Sequence, residues 1–289
     1  MIWVVGATGL VGSELVRQCR NRNIPVLTDR IDIRTMDAVS SFGRDKSIRT
    51  IINCAAVTNV DAAEEERRRA WETNCCGAEN LACLAREKNA LFIHLSTDYV
   101  FSGTYGVALH EEDQPNPCNY YGETKLAGER AIAQQRGRYY IVRTSWVYGM
   151  AKNGFIRSIV AKAAAGTAYA VNTQWGGATN AADLCDALLH IVKTPDAPYG
   201  IYHVCNPGAV TRYMLAEMGC GFAREAGLID HYEPIIPVGD DYFSVRAPRP
   251  SWSYLSPHRF EKAFSHPIPS CQDSLKQFMY ELCEAGKKL

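Results

Sequence analysis

Ile2-Trp3-Val4-Val5-Gly6-Ala7-Thr8-Gly9-Leu10-Val11-Gly12 is the stretch that decides how this chain is read. Four apolar residues make a short buried strand, three glycines follow at intervals of three, and Ser13 to Arg20 carries helical spacing. A strand that passes through glycines straight into a helix is a phosphate-binding turn. Residues without a side chain let the backbone turn sharply and approach a pyrophosphate, and the helix N-terminus offers unpaired N–H groups to its charge. Gly6, Thr8, Gly9, Leu10, Val11 and Gly12 are therefore candidate dinucleotide contacts. The spacing is GxxGxxG, not the usual GxGxxG, and taken alone such a turn is also a plain tight connection.

Working outward, short apolar runs alternate with amphipathic segments as far as Gly149. Ile2–Val5, Pro25–Thr28, Thr50–Cys54, Leu91–Ser96 and Tyr139–Arg143 read as strands. Gly12–Asn21, Asp61–Lys88 with a break, and Tyr120–Gln135 read as helices. Strands alternating with helices imply a parallel sheet, so residues 1–149 are expected to form a doubly wound domain of the Rossmann type. Residues 150–289 are read as a smaller α/β substrate domain, with Pro and Gly concentrated around a helix near Met214–Ala226. The strand Gly200–Val204 suggests that residues 180–205 rejoin the first sheet.

The 289 residues carry 31 basic and 31 acidic side chains, so no global field would hold the chain on nucleic acid or an anionic membrane. Eleven cysteines lie scattered without a disulfide framework, which fits a reducing compartment. The apolar start lacks a basic flank and is broken by glycines, so it reads as a strand and not as a signal peptide. A cytoplasmic protein, monomer or homodimer, is expected.

Past the second strand, Asp29 stands close to the ~20-residue offset at which a carboxylate accepts from an adenosine ribose. Arg30 beside it favours a 2′-phosphate, so NADH and NADPH both remain open, and Asp32 is a further candidate contact near the adenine. The fourth strand ends in Ser96-Thr97-Asp98-Tyr99, at the edge where such sheets place ligand-contacting groups. After Pro115-Asn116-Pro117 a helix opens with Tyr120-Tyr121-Gly122-Glu123-Thr124-Lys125. Tyr121 and Lys125, four apart, share a helical face. A phenol with an ordinary pKa near ~10 is a sluggish acid at neutrality, and a neighbouring ammonium moves it toward the working range. The pair Glu64-Glu65-Glu66 and Arg67-Arg68-Arg69 reads as a solvated, ion-paired helix.

A glycine turn, a strand-end hydroxyl and YxxxK, in that order, resemble the extended short-chain dehydrogenase/reductase family. The resemblance implies Tyr121 as proton donor, Lys125 as its partner and as a hold on the nicotinamide ribose, and Thr97 as the hydrogen-bond donor to the reacting carbonyl. Longer stretches resemble the dTDP-4-dehydrorhamnose reductase group: Ala55-Ala56-Val57-Thr58-Asn59-Val60-Asp61, Ser96 to Phe101, Tyr121 to Glu129, and Arg143 to Gly149. By that likeness Ala55, Ala56 and Thr58 contact the cofactor, Thr58, Asp98 and Trp146 face the sugar, and Arg249 lies near the nucleotide of a nucleotide-sugar substrate. Ser102, Thr173, Ala178 and Trp252 depart from the group's pattern. Glu14 matches one carboxylate of the magnesium-binding interface described for some members, but no partner carboxylates align with it, so no metal site is assigned. Two rival readings keep the resemblance: an epimerase or dehydratase of nucleotide sugars, and a non-catalytic regulatory subunit similar to the methionine adenosyltransferase beta subunit.

Overall fold

The computed structural model describes residues 1–28, 30–103, 106–151, 154–194 and 197–286. Among these residues six strands form the central sheet: β1 (Ile2–Val5), β2 (Val26–Leu27), β3 (Thr50–Asn53), β4 (Leu91–Thr97), β5 (Tyr139–Thr144) and β6 (Gly200–His203). Their order is β6-β5-β4-β3-β1-β2, and every pair is parallel. Parallel neighbours need crossovers, and helices supply them. In chain order the described helices are α1 (Leu10–Asn21), α2 (Met36–Gly43), α3 (Val60–Glu65), α4 (Arg67–Trp71), α5 (Gly77–Glu87), α6 (Tyr120–Gln134), α7 (Phe155–Ala165), α8 (Ala181–Lys193), α9 (Arg212–Glu225), α10 (His258–Phe264) and α11 (Cys271–Glu284).

The strands are apolar at successive positions because both faces of the sheet are covered. Ile2, Val4, Ile52, Ile93, Tyr140 and Val142 enter one core, closed by Leu15 of α1, Leu184 and Leu188 of α8, and Phe260 of α10. Trp3, Val5, Ile51, Phe92 and Ile141 enter the other, closed by Val39 of α2, Leu81 and Leu84 of α5, and Ile132 of α6. The order reverses at β1, whose neighbours are β2 on one side and β3 on the other. That reversal opens a crevice at the carboxyl ends of the strands, where open α/β sheets bind ligands.

A third core joins α7, α9 and α11 through Ile159, Val160, Leu215, Ala216, Leu275, Phe278 and Met279. Here the structure is more regular than the composition suggests. The sequence reading places only the α9 helix in this half, because the Pro- and Gly-rich connections dominate its composition. α7, α8 and α11 are helices whose apolar stripes find partners only in three dimensions. β6 lies beside β5, with Gly200 opposite Tyr140, and α8 packs on α1, where the Gln18 amide donates to the Ala182 carbonyl (2.8 Å). Among the described residues no helix is long and apolar enough to cross a membrane.

The long helical segment expected over 61–88 is broken twice. Glu66 leaves helical geometry between α3 and α4, and Glu72–Cys76 widens into a π-helical turn. That turn directs Asn74 inward, where its side chain accepts from Val57 N (2.8 Å) and donates to Val57 O (3.1 Å) and Thr124 Oγ1 (3.0 Å). One buried amide thus ties the loop after β3 to α6.

Candidate active site

The carboxyl edge of the sheet carries three adjoining cavities. The first, about 630 Å³, is walled by Gly6, Ala7, Thr8, Gly9, Arg30, Asp32, Arg34, Ala55, Ala56 and Arg69. Gly6 sits at φ +77°, and a Cβ there would meet Ala55 N at 2.6 Å; a Cβ on Gly12 would meet the Gly6 carbonyl at 2.2 Å. Both glycines are therefore demanded by backbone packing. α1 begins on Gly9 with no side-chain cap, so its first N–H groups are left for a ligand. These features fit the pyrophosphate of a dinucleotide. Asp32 is a wall residue whose carboxylate accepts from Arg34 (2.8 and 2.7 Å), which pulls its pKa down to about 2. Asp29 lies outside the described residues.

The second cavity, about 420 Å³, shares Gly9, Cys54, Ala55 and Ala56 with the first. It gathers Leu10, Val11, Thr58, Thr97, Asp98, Tyr121, Lys125 and Trp146 from five separate segments of chain. β4 delivers Thr97 at its end, and α6 delivers Tyr121 and Lys125 one turn apart. α6 is held by its Asn119 cap, which accepts from Gly122 N (2.9 Å), and by a buried ion pair between Glu129 and Arg143 of β5 (2.9 and 2.7 Å). Trp146 has a left-handed backbone (φ +41°). Its ring lies against Gly176 and under the Arg212 guanidinium, 3.9 Å from its centroid.

Thr97 hydrogen-bonds Tyr121, and its hydroxyl also lies 3.1 Å from Asp98 Oδ1. Asp98 is buried, so its carboxyl rises from the ordinary 3.8 to about 6, an effect that hydrogen bonds from Ser253 (2.6 Å) and Thr97 moderate. Tyr121 departs from the sequence expectation. Burial pushes its phenol up, the Asp98 charge pushes the same way, and only the Thr97 hydrogen bond opposes them. Lys125 does not lower it here because the amine is turned to the Leu95 carbonyl (2.6 Å) and to His94 (3.0 Å). Tyr121 is thus a fully protonated acid at neutral pH, the form that a proton donor needs.

The third cavity, about 340 Å³, shares Tyr99 and Arg212 with the second and continues into the C-terminal part. Phe155, Lys162, Tyr169, Phe243 and Arg249 are among its walls. Arg249 is fixed by Asp61 of α3 through two bonds (2.9 and 2.7 Å), and Asp61 also accepts from the backbone of Arg246 and Ala247. The Arg249 side chain is accordingly engaged within the chain, and it clamps the 246–249 loop over α3. Arg212, Arg34 and Arg69 reach these walls without any local motif that marks them. Arg69 belongs to the charge run read as solvated helix surface; it pairs with Glu66 (2.7 Å) and also faces the first cavity. Glu14, on α1, is buried and bound to Arg17 (2.8 and 2.6 Å) and Gln18 (3.0 Å). Among the described residues no group of three acidic, His or Cys side chains is placed to hold a metal ion.

A phosphate cradle that opens onto a buried phenol, hydroxyl and amine is built for hydride transfer to a carbonyl whose oxygen must then be protonated. Fold and site together define a nicotinamide-dependent oxidoreductase of the extended short-chain dehydrogenase type. The chain belongs to the family described as RmlD substrate binding domain, which matches residues 1–283. It is 37% identical to a dTDP-4-dehydrorhamnose reductase of Mycolicibacterium smegmatis over 95% of this chain and 84% of that protein. It is 35% identical to the Escherichia coli dTDP-4-dehydrorhamnose reductase, with 97% of each chain covered. Among solved structures, the Bacillus anthracis dTDP-4-dehydrorhamnose reductase in complex with NADP superposes with a TM-score of 0.90 at 30% identity, covering 97% of this chain and 98% of that one.

Proposed function

We propose that this protein reduces the 4-keto group of dTDP-4-dehydrorhamnose to give dTDP-L-rhamnose. The observation that carries the reading is the convergence of Thr97, Asp98, Tyr121, Lys125 and Trp146 on one cavity that shares walls with the glycine cradle. When bound, reduced nicotinamide supplies the hydride. Tyr121 Oη gives its proton to the sugar oxygen as the alcohol forms, and the Thr97 hydroxyl holds that oxygen. Lys125, one turn along α6, supplies positive charge near the developing phenolate. Asp98 and Thr58 offer acceptors to sugar hydroxyls, and the Trp146 ring gives them a flat wall. The aromatic and cationic third cavity suits the nucleotide diphosphate, with Arg249 shaping its rim. Gly6, Thr8, Gly9, Leu10, Val11, Gly12, Ala55 and Ala56 form the cofactor cradle. NADH and NADPH both fit the reading, and the guanidiniums of Arg30, Arg34 and Arg69 in the adenosine-side wall favour the 2′-phosphate of NADPH. The enzyme is read as cytoplasmic, in keeping with eleven unpaired cysteines, and as a monomer or homodimer.

Tyr121→Phe tests the assignment. Oxidation of NADPH is followed with dTDP-4-dehydrorhamnose generated in place by its upstream enzymes. The variant should lose about 10²–10⁴-fold in turnover while it still binds NADPH. Near-normal turnover would remove Tyr121 from the mechanism. Turnover of a nucleotide sugar by the wild type without net NADPH consumption would favour the epimerase or dehydratase reading.

A further inference from the structure

Lys125 ends a buried hydrogen-bond chain that the proposed reaction does not use. β3 and β4 run in a register that sets Asn53 opposite His94, and Asn53, His94 and Lys125 are all buried. Ala55 N donates to Asn53 Oδ1 (3.0 Å), Asn53 Nδ2 lies 3.0 Å from His94 Nδ1, and His94 Nε2 lies 3.0 Å from Lys125 Nζ. The protons in this chain can be counted. A backbone N–H can only donate, so the Asn53 atom facing Ala55 is oxygen, and its NH₂ faces the ring. An NH₂ group only donates as well, so Nδ1 must be the acceptor. A neutral imidazole has one N–H, which therefore sits on Nε2 and points at Nζ. An ammonium has no lone pair to receive it, whereas an amine has one and keeps two N–H groups, one of them for the Leu95 carbonyl. Flipping the Asn53 amide or moving the ring proton to Nδ1 only transfers the clash, setting two donors face to face at Ala55 or at Asn53.

We propose that His94, oriented by Asn53, is a positioning residue that holds Lys125 as a titrating amine instead of a fixed cation. The proposal rests on the reading of Lys125 as the partner of Tyr121. Burial acts in the same direction: it brings Lys125 down to about 8 and His94 well below its ordinary value. The other groups around Nζ do not override this. Glu129, on the same helix, raises the amine but is engaged by Arg143. The Cys54 thiol at the end of β3 is pushed up to about 12 by burial and is neutral. Tyr121 is protonated, and Asp98 acts on the phenol across the cavity. Only the cationic form of Lys125 stabilises a phenolate, so kcat/KM should fall as pH rises through about 8.

Two substitutions test the device from opposite ends. Asn53→Asp keeps the shape but presents only acceptors, so it draws the ring proton to Nδ1 and frees Nε2 to receive an ammonium. His94→Gln removes the ring donor. Both should move the alkaline limb of kcat/KM up by about one pH unit or more. A second readout needs neither cofactor nor substrate: carbamoylation of Lys125 by cyanate, in which the neutral amine attacks isocyanic acid and the proton passes to nitrogen, followed by peptide mass spectrometry across pH. At fixed total cyanate the rate is flat below the amine pKa and falls above it, so wild type should fall to half its plateau near pH 8, and the variants at least about one unit higher. Equal midpoints in wild type and variants, or a wild-type midpoint at the ordinary lysine value, would overturn the proposal, as would limbs that stay fixed while kcat falls. If the wild type turns over no nucleotide sugar, the functional reading fails, and the cyanate midpoints still decide this inference.

Discussion

Glu129→Gln probes the joint that holds the reacting helix. The side chains of Glu129 and Arg143 are 3% and 1% exposed, and two parallel bonds of 2.9 and 2.7 Å join them. Arg143 Nη1 has no acceptor among the described residues. The carboxylate is therefore the main compensation for a guanidinium deep in the fold. Glutamine keeps one acceptor and turns an NH₂ toward the other guanidinium nitrogen, so the buried charge is left unpaired. Removing one partner of such a pair costs about 3–5 kcal/mol. At roughly 2 °C per kcal/mol for a chain of this size, Tm should fall by about 6–10 °C. Scanning fluorimetry and equilibrium urea unfolding measure both quantities. Replacing both partners together, Glu129→Leu with Arg143→Met, should recover most of the loss, because a buried pair gains little over well-packed apolar residues. Glu129 also raises the Lys125 pKa, so the single variant should shift the alkaline limb of activity downward, opposite to Asn53→Asp. A loss below about 1 kcal/mol, the range of a solvated surface pair, would refute the reasoning by showing that water reaches it.

Three further outcomes follow from the geometry. Gly12→Ala should abolish NADPH binding and lower stability, since its Cβ would overlap the Gly6 carbonyl that shapes the cradle; unchanged affinity by fluorescence titration would exclude that role. Gly176→Ala should raise KM for the sugar and leave NADPH affinity intact, because the new methyl would meet the Trp146 ring at 2.7 Å; equal effects on both ligands would show a general disturbance. Asp98 has a raised folded pKa, so the stability it lends is complete below its ordinary 3.8 and is lost as pH rises through about 6. That rise corresponds to about 3 kcal/mol, so Asp98→Asn should be more stable than wild type at pH 7, with the gain vanishing toward pH 4, while turnover falls; a gain independent of pH would disprove the linkage.

The sequence by itself determined the sheet and the two ends of the site. Strands buried on both faces are continuous apolar runs, so β1, β3, β4 and β5 are visible without tertiary information, and Gly6, Gly9 and Gly12 mark a tight strand-to-helix turn. Tyr121 and Lys125 are fixed by helical spacing, and Thr97 by its place at a strand end. What only the tertiary structure decided depends on contacts between segments far apart in the chain. Arg34 and Arg69 reach the first cavity from a turn and from α4, and Arg212 reaches the other two from the start of α9, and nothing local to any of them signals a cavity. α7 and α11 carry apolar stripes of their own, but only the tertiary structure decides that these stripes meet on α9. The direction of the Lys125 amine is the sharpest case. Its spacing from Tyr121 predicts a cation beside a phenol, but the register of β3 against β4 places His94 and Leu95 where the amine reaches them. The charge on Lys125 is set by those strand-borne partners and not by its own helix.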